Sequence, residues 1–375
     1  MKIVILSLPL HTNYGGIIQS YALQTVLQKM GHEIIVIDKD RIIRRTKRKQ
    51  FISFIKFYIK KVVKKEKLAY KSDAIKNFET QLKEQNTRGF INKYINILTI
   101  KNLEKDFPNN IDTIIVGSDQ VWRRAYYSNS RAIENAFLKF IENTDIKRVS
   151  YAASFGIDYW DYSIEETKEC ARLLKKFDAV SVRELSAINL CKEKLGVNDV
   201  HLVLDPTMLL QKEDYLDLAQ KANVHKSNGN LMCYVLHNTL EKQQFVEKIA
   251  KERGLQIFRP NVIKNENLPL SSQIQPPIEN WIQGFNDAEF IFTDSFHACV
   301  FSIIFKRPFI VFGKGLNGLT RISSLLELFS LSDHLLLKKE DYNPNFSYII
   351  TNDIYDKIEL LKSRSMDFLK MALEK

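Results

Sequence analysis

The feature that most limits what this chain can fold into is a recurring unit: a short apolar run, a polar or glycine-bearing cluster at its end, then a stretch of helical periodicity. Lys2 to Leu8 is β-branched and leucine-rich, His11 to Gly16 is polar with two glycines, and Ile17 to Met30 repeats its apolar residues at helical spacing. Gly31 stops that helix and Glu33 to Asp38 reads as a second strand. Thr113 to Val116 runs into Gly117-Ser118-Asp119-Gln120, Arg148 to Ala153 into Ser154-Phe155-Gly156, and Ala179 to Val182 into Arg183-Glu184. A second series follows, with strands at Leu231 to Leu236, Gln256 to Arg259, Phe290 to Thr293 and Phe309 to Phe312. Helices alternate with them at Glu241 to Arg253, Trp281 to Asp287 and His297 to Phe305.

Alternation of this kind predicts an α/β protein with mostly parallel, doubly wound sheets. At 375 residues the chain exceeds what one core ordinarily serves. Two Rossmann-like lobes facing across a cleft are therefore expected. The first spans 1–210 with a basic helical insertion at about 39–107, and the second spans 211–350. Gln211 to Asn230 reads as the linker region, and 351–375 as a C-terminal helix docking back on the first lobe.

Charge is concentrated. The net charge is +11, and residues 39–67 hold thirteen Lys or Arg against two acids, enough to account for the excess. A local basic block implies a polyanionic surface as partner, either anionic lipid or nucleic acid. Phe51, Ile52, Phe54, Ile55, Tyr58, Ile59, Val62 and Val63 recur at helical spacing among Lys56, Lys60, Lys61, Lys64 and Lys65. That pattern has two readings, an amphipathic helix on an anionic membrane face and an ordinary helix with a solvated basic side. No nucleic-acid reader motif accompanies the block, so no nucleic acid is expected. No apolar stretch reaches the roughly 18 to 20 residues of a membrane span, and Ile3 to Leu8 is too short for a signal-peptide core. Cys170, Cys191, Cys233 and Cys299 are scattered without metal-site or disulfide spacing. These features predict a cytoplasmic protein without a metal, placed peripherally at the inner membrane face if the basic segment engages lipid.

In doubly wound sheets the carboxyl ends of the strands line the ligand crevice, which selects the candidate site residues. Asn13, Gly15 and Gly16 stand between a strand and a helix, where glycine lets backbone approach a ligand and free N–H groups favour an anion; a tight βα turn is the alternative. Ser118 and Asp119 either orient a hydroxyl-bearing acceptor or cap the next helix. Arg183 offers a bidentate grip on carboxylate or phosphate, or a structural ion pair with Glu184. Ser295 and His297 open an apolar helix, where the dipole disfavours protonated histidine and an anionic ligand restores it; the alternative is a capping or core histidine. Gly313-Lys314-Gly315-Leu316-Asn317-Gly318 satisfies a dinucleotide pattern, and with Lys314 and then Arg321 it equally suits a single phosphate. Arg321 is otherwise a surface ion-pair residue, and Cys299 reads as a small buried residue.

Taken together, these blocks resemble the polysaccharide pyruvyl transferase family. Asn13-Tyr14-Gly15-Gly16 with Gln19-Ser20-Tyr21-Ala22-Leu23, Val116 to Trp122, Ser150 to Gly156, Ser181-Val182-Arg183-Glu184, Leu204-Asp205-Pro206-Thr207 and Thr293 to His297 occur in the family's order. The resemblance implies a fold like that of GT-B glycosyltransferases. It also implies transfer of a pyruvate ketal from phosphoenolpyruvate to two hydroxyls of a sugar in a cell-surface polysaccharide or its lipid-linked precursor, with no further cofactor. It carries Arg183 over as a donor-binding residue and His297 as the central catalytic or phosphate-binding residue. Members often carry Arg two positions before that histidine; here the place holds Ser295, and Arg321 is expected to supply the missing charge. Asp119 is the candidate to orient or deprotonate the acceptor hydroxyl. Two rivals share these features: a GT-B glycosyltransferase using a nucleotide sugar, and a non-catalytic protein docking on membranes through 39–67.

Overall fold

The computed structural model describes residues 1–64, 70–127, 132–262, 268–313 and 319–374. The chain opens with β1 (Lys2–Leu6), α1 (Tyr14–Lys29) and β2 (Glu33–Lys39), followed by α2 (Lys47–Lys64), α3 (Asp73–Tyr94), β3 (Ile97–Ile100), β4 (Thr113–Val116) and β5 (Lys147–Ala153). Then come α4 (Ile164–Leu174), β6 (Ala179–Val182), α5 (Leu185–Leu195), β7 (His201–Leu202) and α6 (Lys212–Lys221). The second series comprises β8 (Leu231–Tyr234), α7 (Leu240–Arg253), β9 (Ile257–Phe258), α8 (Ile278–Asp287) and β10 (Phe290–Thr293). It ends with α9 (Phe296–Ile304), β11 (Phe309–Phe312), α10 (Leu319–Leu328), β12 (Leu335–Leu336) and α11 (Asn352–Glu374).

The strands form two all-parallel sheets, ordered β3-β2-β1-β4-β5-β6-β7 and β12-β11-β10-β8-β9. This is the GT-B-like arrangement of two Rossmann-like halves. Strands β4, β8, β10 and β11 are buried along their whole length, as sheets covered on both faces require. Strand order reverses between β1 and β4 in the first sheet and between β8 and β10 in the second. At such switch points the loops diverge to opposite faces and leave a crevice beyond the carboxyl ends. An apolar cluster runs without a break from Ile17, Leu23 and Tyr215 to Trp281, Phe285 and Phe301, so the halves share a core.

Three expectations need correction. Helix α1 begins at Tyr14, not Ile17, so Gly15 and Gly16 belong to its first turn and not to a loop. The basic insertion is not all helical: Ile97–Ile100 pairs with β2 as the sheet's edge strand, a run too short to stand out from its surroundings by periodicity. The expected linker folds in its first half as α6, because Tyr215, Leu218 and Ala219 recur at helical spacing and bury one face. The ion pair Arg88–Asp38 ties α3 to the end of β2, and Arg41–Glu84 and Arg45–Asp73 tie the segment that follows β2 to the same helix. Helix α11 lies against β5 and the segment after β7: the Ser365 hydroxyl accepts from the Leu204 N–H at 3.0 Å and Phe368 packs on Tyr151. Among the described residues no helix is long and apolar enough to cross a membrane.

Candidate active site

The two switch points face each other, and the polar residues at their strand ends converge. From the first sheet come Ser118 and Asp119 after β4, Arg183 and Glu184 after β6, and Asp205 just beyond β7. The second sheet contributes Phe296 and His297 in the first turn of α9, and Arg321 from α10. All of these except Arg321 are less than one-tenth exposed, and the Arg321 side chain is 13% exposed.

The first sheet supplies a charge network. Arg183 Nη1 lies 2.5 Å from Asp205 Oδ2, and its guanidinium comes within 3.7 Å of Asp119 and 3.9 Å of Glu184. Asp205 also accepts from the Thr207 N–H and hydroxyl and from the Ser118 hydroxyl. Burial by itself would raise the Asp205 carboxyl; Arg183, His297 and Thr207 hold it below its ordinary value instead. The same carboxylates keep Arg183 above its ordinary value against the opposing effect of burial. Glu184 accepts from the Ser154 hydroxyl at 2.6 Å, across a register shift between Ser150 and Ala153 that redirects the end of β5.

Asp119 is no helix cap. Its φ is +69° and it bridges to Ala153 in a tight turn before a short 3-10 turn at Arg124–Tyr126. Backbone in the left-handed region costs a non-glycine residue energy and recurs at functional sites. The surface-pair reading of Arg321 also fails, because the side chain points inward to within 3.6 Å of Asp119. Both guanidiniums lie over the Phe296 ring, Arg183 at 4.2 Å and Arg321 at 5.7 Å from its centroid.

His297 bridges the halves. A Cβ placed on Gly15 would fall 2.0 Å from His297 Nδ1, so the imidazole occupies the space that glycine leaves open in α1. Its Nε2 lies 3.8 Å from Asp205. Gly16 faces Asn13 and Asp119, while Asn13 is exposed and its side chain does not cap α1. Tyr14 completes the junction, donating its hydroxyl to the Pro276 carbonyl at 2.7 Å and packing on Tyr234 and Trp281. Ser295 precedes α9 with its N–H bonded to Thr293 Oγ1 and its carbonyl accepting from Cys299. Burial pushes the Cys299 thiol up, as suits a packing residue. Neighbouring Asp294 accepts from the Leu236 and His237 N–H groups and from buried Lys242, fixing the loop after β8. Lys314 and the remaining glycine loop to Gly318 lie outside the described residues.

Several buried donors are left unused. Among the described residues, Arg183 Nε and Nη2, Arg321 Nε and His297 Nε2 make no hydrogen bond. Unsatisfied buried N–H groups are costly, so a pocket that retains three of them on its guanidiniums, next to a free imidazole nitrogen, suits a multidentate anion. The charges qualify this: two guanidiniums face three carboxylates, Asp119, Glu184 and Asp205. Burial, opposed by Asp205 and Asp119 and assisted by Arg183 and Arg321, holds His297 below its ordinary value of 6.5. The free site thus keeps a neutral imidazole, and an incoming anion favours its protonation. Calorimetric titration with inorganic phosphate near neutral pH, in buffers of different ionisation enthalpy, should reveal net proton uptake that shrinks in His297→Gln. Stability follows the same sign: unfolded chain takes up a proton near pH 6.5 that the native site resists, so stability present above that pH is lost as pH falls. His297→Gln should flatten this decline, although His334, which burial lowers to about 4, retains its share.

An apolar cavity of about 110 Å³ opens at the carboxyl ends of β1, β2 and β4, walled by Leu6, Leu8, Ile37, Ile100, Val116 and Tyr126; burial, with Asp119 adding to it, raises the Tyr126 hydroxyl above its ordinary value. Gln120 donates to the Tyr126 hydroxyl at its rim. Sequence reasoning did not select Asp205 as a site residue, although the strand-end rule that picked out Arg183 points to it as well. Tyr14 and Phe296 had no such signal, because their roles depend on the opposite half. Among the described residues no three His, Cys, Asp or Glu side chains are arranged to hold a metal ion.

A family model described as polysaccharide pyruvyl transferase matches residues 13–314. No curated protein sequence matches the chain. Among solved structures, UDP-GlcNAc 2-epimerase from Neisseria meningitidis bound to UDP-GlcNAc is similar at 12% identity and a TM-score of 0.47, over 100% of this chain and 94% of that one. The UDP-GlcNAc 2-epimerase of Methanocaldococcus jannaschii gives 14% identity and a TM-score of 0.48 over 96% and 93%. Arabidopsis thaliana UGT89C1 gives 8% and 0.47 over 99% of each chain.

Proposed function

The chain belongs to the polysaccharide pyruvyl transferase family, and from that premise we propose that it transfers a pyruvate ketal from phosphoenolpyruvate to two hydroxyls of a sugar. The acceptor is a cell-surface polysaccharide or its lipid-linked precursor. The observation that carries this reading is the group of unpartnered guanidinium and imidazole nitrogens converging from both sheets, which suits a small donor bearing a carboxylate and a phosphate.

Arg183 and Arg321 hold the donor's anionic groups, with Ser118, Ser295, Asn13 and the first turn of α1 closing around them. Asp119 takes the proton of the first sugar hydroxyl as its oxygen bonds to C2 of the donor. His297, charged once the anion is bound, delivers a proton to C3, making the methyl group. The phosphate leaves from C2 with the C–O electron pair. The second hydroxyl then bonds to C2 and loses its proton, which closes the ketal. Net, one phosphoenolpyruvate and one diol give one ketal and one phosphate. The guanidiniums offset the charge that builds on the departing group. The cavity at the carboxyl ends of β1, β2 and β4, with Tyr126 in its wall, offers an apolar face for the acceptor sugar.

The test is calorimetry with phosphoenolpyruvate and a panel of nucleotide sugars, followed by phosphate release from phosphoenolpyruvate with candidate glycans. Saturable phosphoenolpyruvate binding and a product carrying the added mass of a pyruvate ketal are expected. Nucleotide-sugar binding without phosphoenolpyruvate binding would overturn the proposal in favour of glycosyl transfer.

A further inference from the structure

We infer that α2 is a docking helix that lays the protein on an anionic bilayer, a role separate from the chemistry proposed for the cleft. The helix is attached to the fold along one narrow edge. Ser53 Oγ accepts from Arg45, the Gln50 carbonyl accepts from the Tyr70 hydroxyl, and Phe57 packs edge-on against Tyr70 at 5.6 Å. Phe54 joins that edge, packing on Tyr70 at 5.0 Å, while away from it Phe51, Ile52, Ile55, Tyr58, Ile59 and Val62 are between 41% and 77% exposed. At about 100° per residue they fill a continuous arc of about 120°. Single exposed apolar residues are ordinary on any protein, but six on one helix face form a patch that calls for a partner.

The charges beside the patch select the partner. Arg44 and Arg45 are engaged by Asp40 and Asp73. Lys47, Arg48, Lys49 and Lys56 are exposed and form no ion pair among the described residues. A second copy meeting this face would bring two such basic rows together, whereas an anionic lipid surface neutralises them while its acyl boundary takes the apolar arc. A short connection links α2 to Lys39, which lines the cavity at the carboxyl ends of β1, β2 and β4, so docking holds that cavity near the bilayer.

Flotation of the full chain with vesicles of neutral phosphatidylcholine, and of phosphatidylcholine mixed with phosphatidylglycerol, tests the inference. Binding to the anionic vesicles alone is expected, weakening as salt is raised. The triple variant Phe51→Ser, Ile55→Ser, Ile59→Ser should lose at least about tenfold in partition, since each residue gives up apolar burial, with its melting temperature and phosphate affinity unchanged. A Tyr58→Trp variant provides a reading independent of those substitutions: its emission should shift to the blue with anionic vesicles and stay put with neutral ones. Equal binding to neutral vesicles, binding that survives in the triple variant, or an unshifted emission overturns the inference. So does a concentration-dependent dimer that the triple substitution abolishes while vesicles go unbound, which would make a second copy the occupant.

Discussion

Gly15→Ala should reduce turnover about as severely as His297→Gln, on the order of 10²- to 10⁴-fold, the range expected for losing a positioned acid or base. The substitution is mild in its local setting. Gly15 lies in the first turn of α1 with no positive φ, and alanine is the better helix former. Its cost arises across the cleft, where the added carbon would stand 2.0 Å from Nδ1 and 2.4 Å from Cγ of His297. Real contacts do not approach so closely, so the ring, the helix or the spacing of the halves must give way by more than an ångström. A shift of that size is enough to cost about two orders of magnitude where reacting groups must be aligned. Steady-state kinetics on both variants, with circular dichroism to verify the fold, decides the matter. Wild-type turnover in Gly15→Ala alongside an inactive His297→Gln would mean that the interlobe contact is not part of the working state.

Arg183→Met should destabilise the fold by about 3 to 5 kcal/mol, the cost of stranding a buried charge by removing its partner. Asp205 loses its 2.5 Å contact, and Asp119 and Glu184 lose the nearest guanidinium. Adding Asp205→Asn should recover part of the loss, because the second change removes the carboxylate that the first left unpaired. Neither variant should bind phosphate in the cleft. Chemical denaturation of both single variants and the double variant measures the coupling. A fully additive double variant would show that Arg183 is not the counter-ion of Asp205 and would undo the account of the network.

Much of the site was legible because strand ends are local features. Arg183 stands at the end of the mostly apolar Ala179–Val182, and His297 opens an apolar helix after the polar Thr293-Asp294-Ser295 cluster, features that period and polarity mark without knowledge of the neighbours. The glycine pair stands out in the sequence as well, although as a loop: two glycines in the first turn of a helix contradict local propensity, and only the imidazole packed against Gly15 explains that position. The short run Ile97–Ile100 had too few residues for its period to speak, and it became a strand because β2 offered an open edge. The sequence leaves a cap open for Asp119; its positive φ accompanies a bridge to Ala153, which is a neighbour only in the sheet.

The sequence by itself therefore determined the α/β class, the two parallel-sheet series, the basic amphipathic helix and the presence of polar clusters where strands stop. All of these follow from periodicity and composition over windows of a few residues. Tertiary structure alone decided which clusters meet. It set β1 beside β4 and β8 beside β10, turned Arg321 inward toward Asp119, joined Arg183 to Asp205, and brought His297 onto the bare backbone of Gly15. The reason is physical. Hydrophobic patterning dictates which face of each element is buried, but the pairing of buried charges and the fit of a ring against a glycine depend on strand order and on how the halves pack, and no local window contains either.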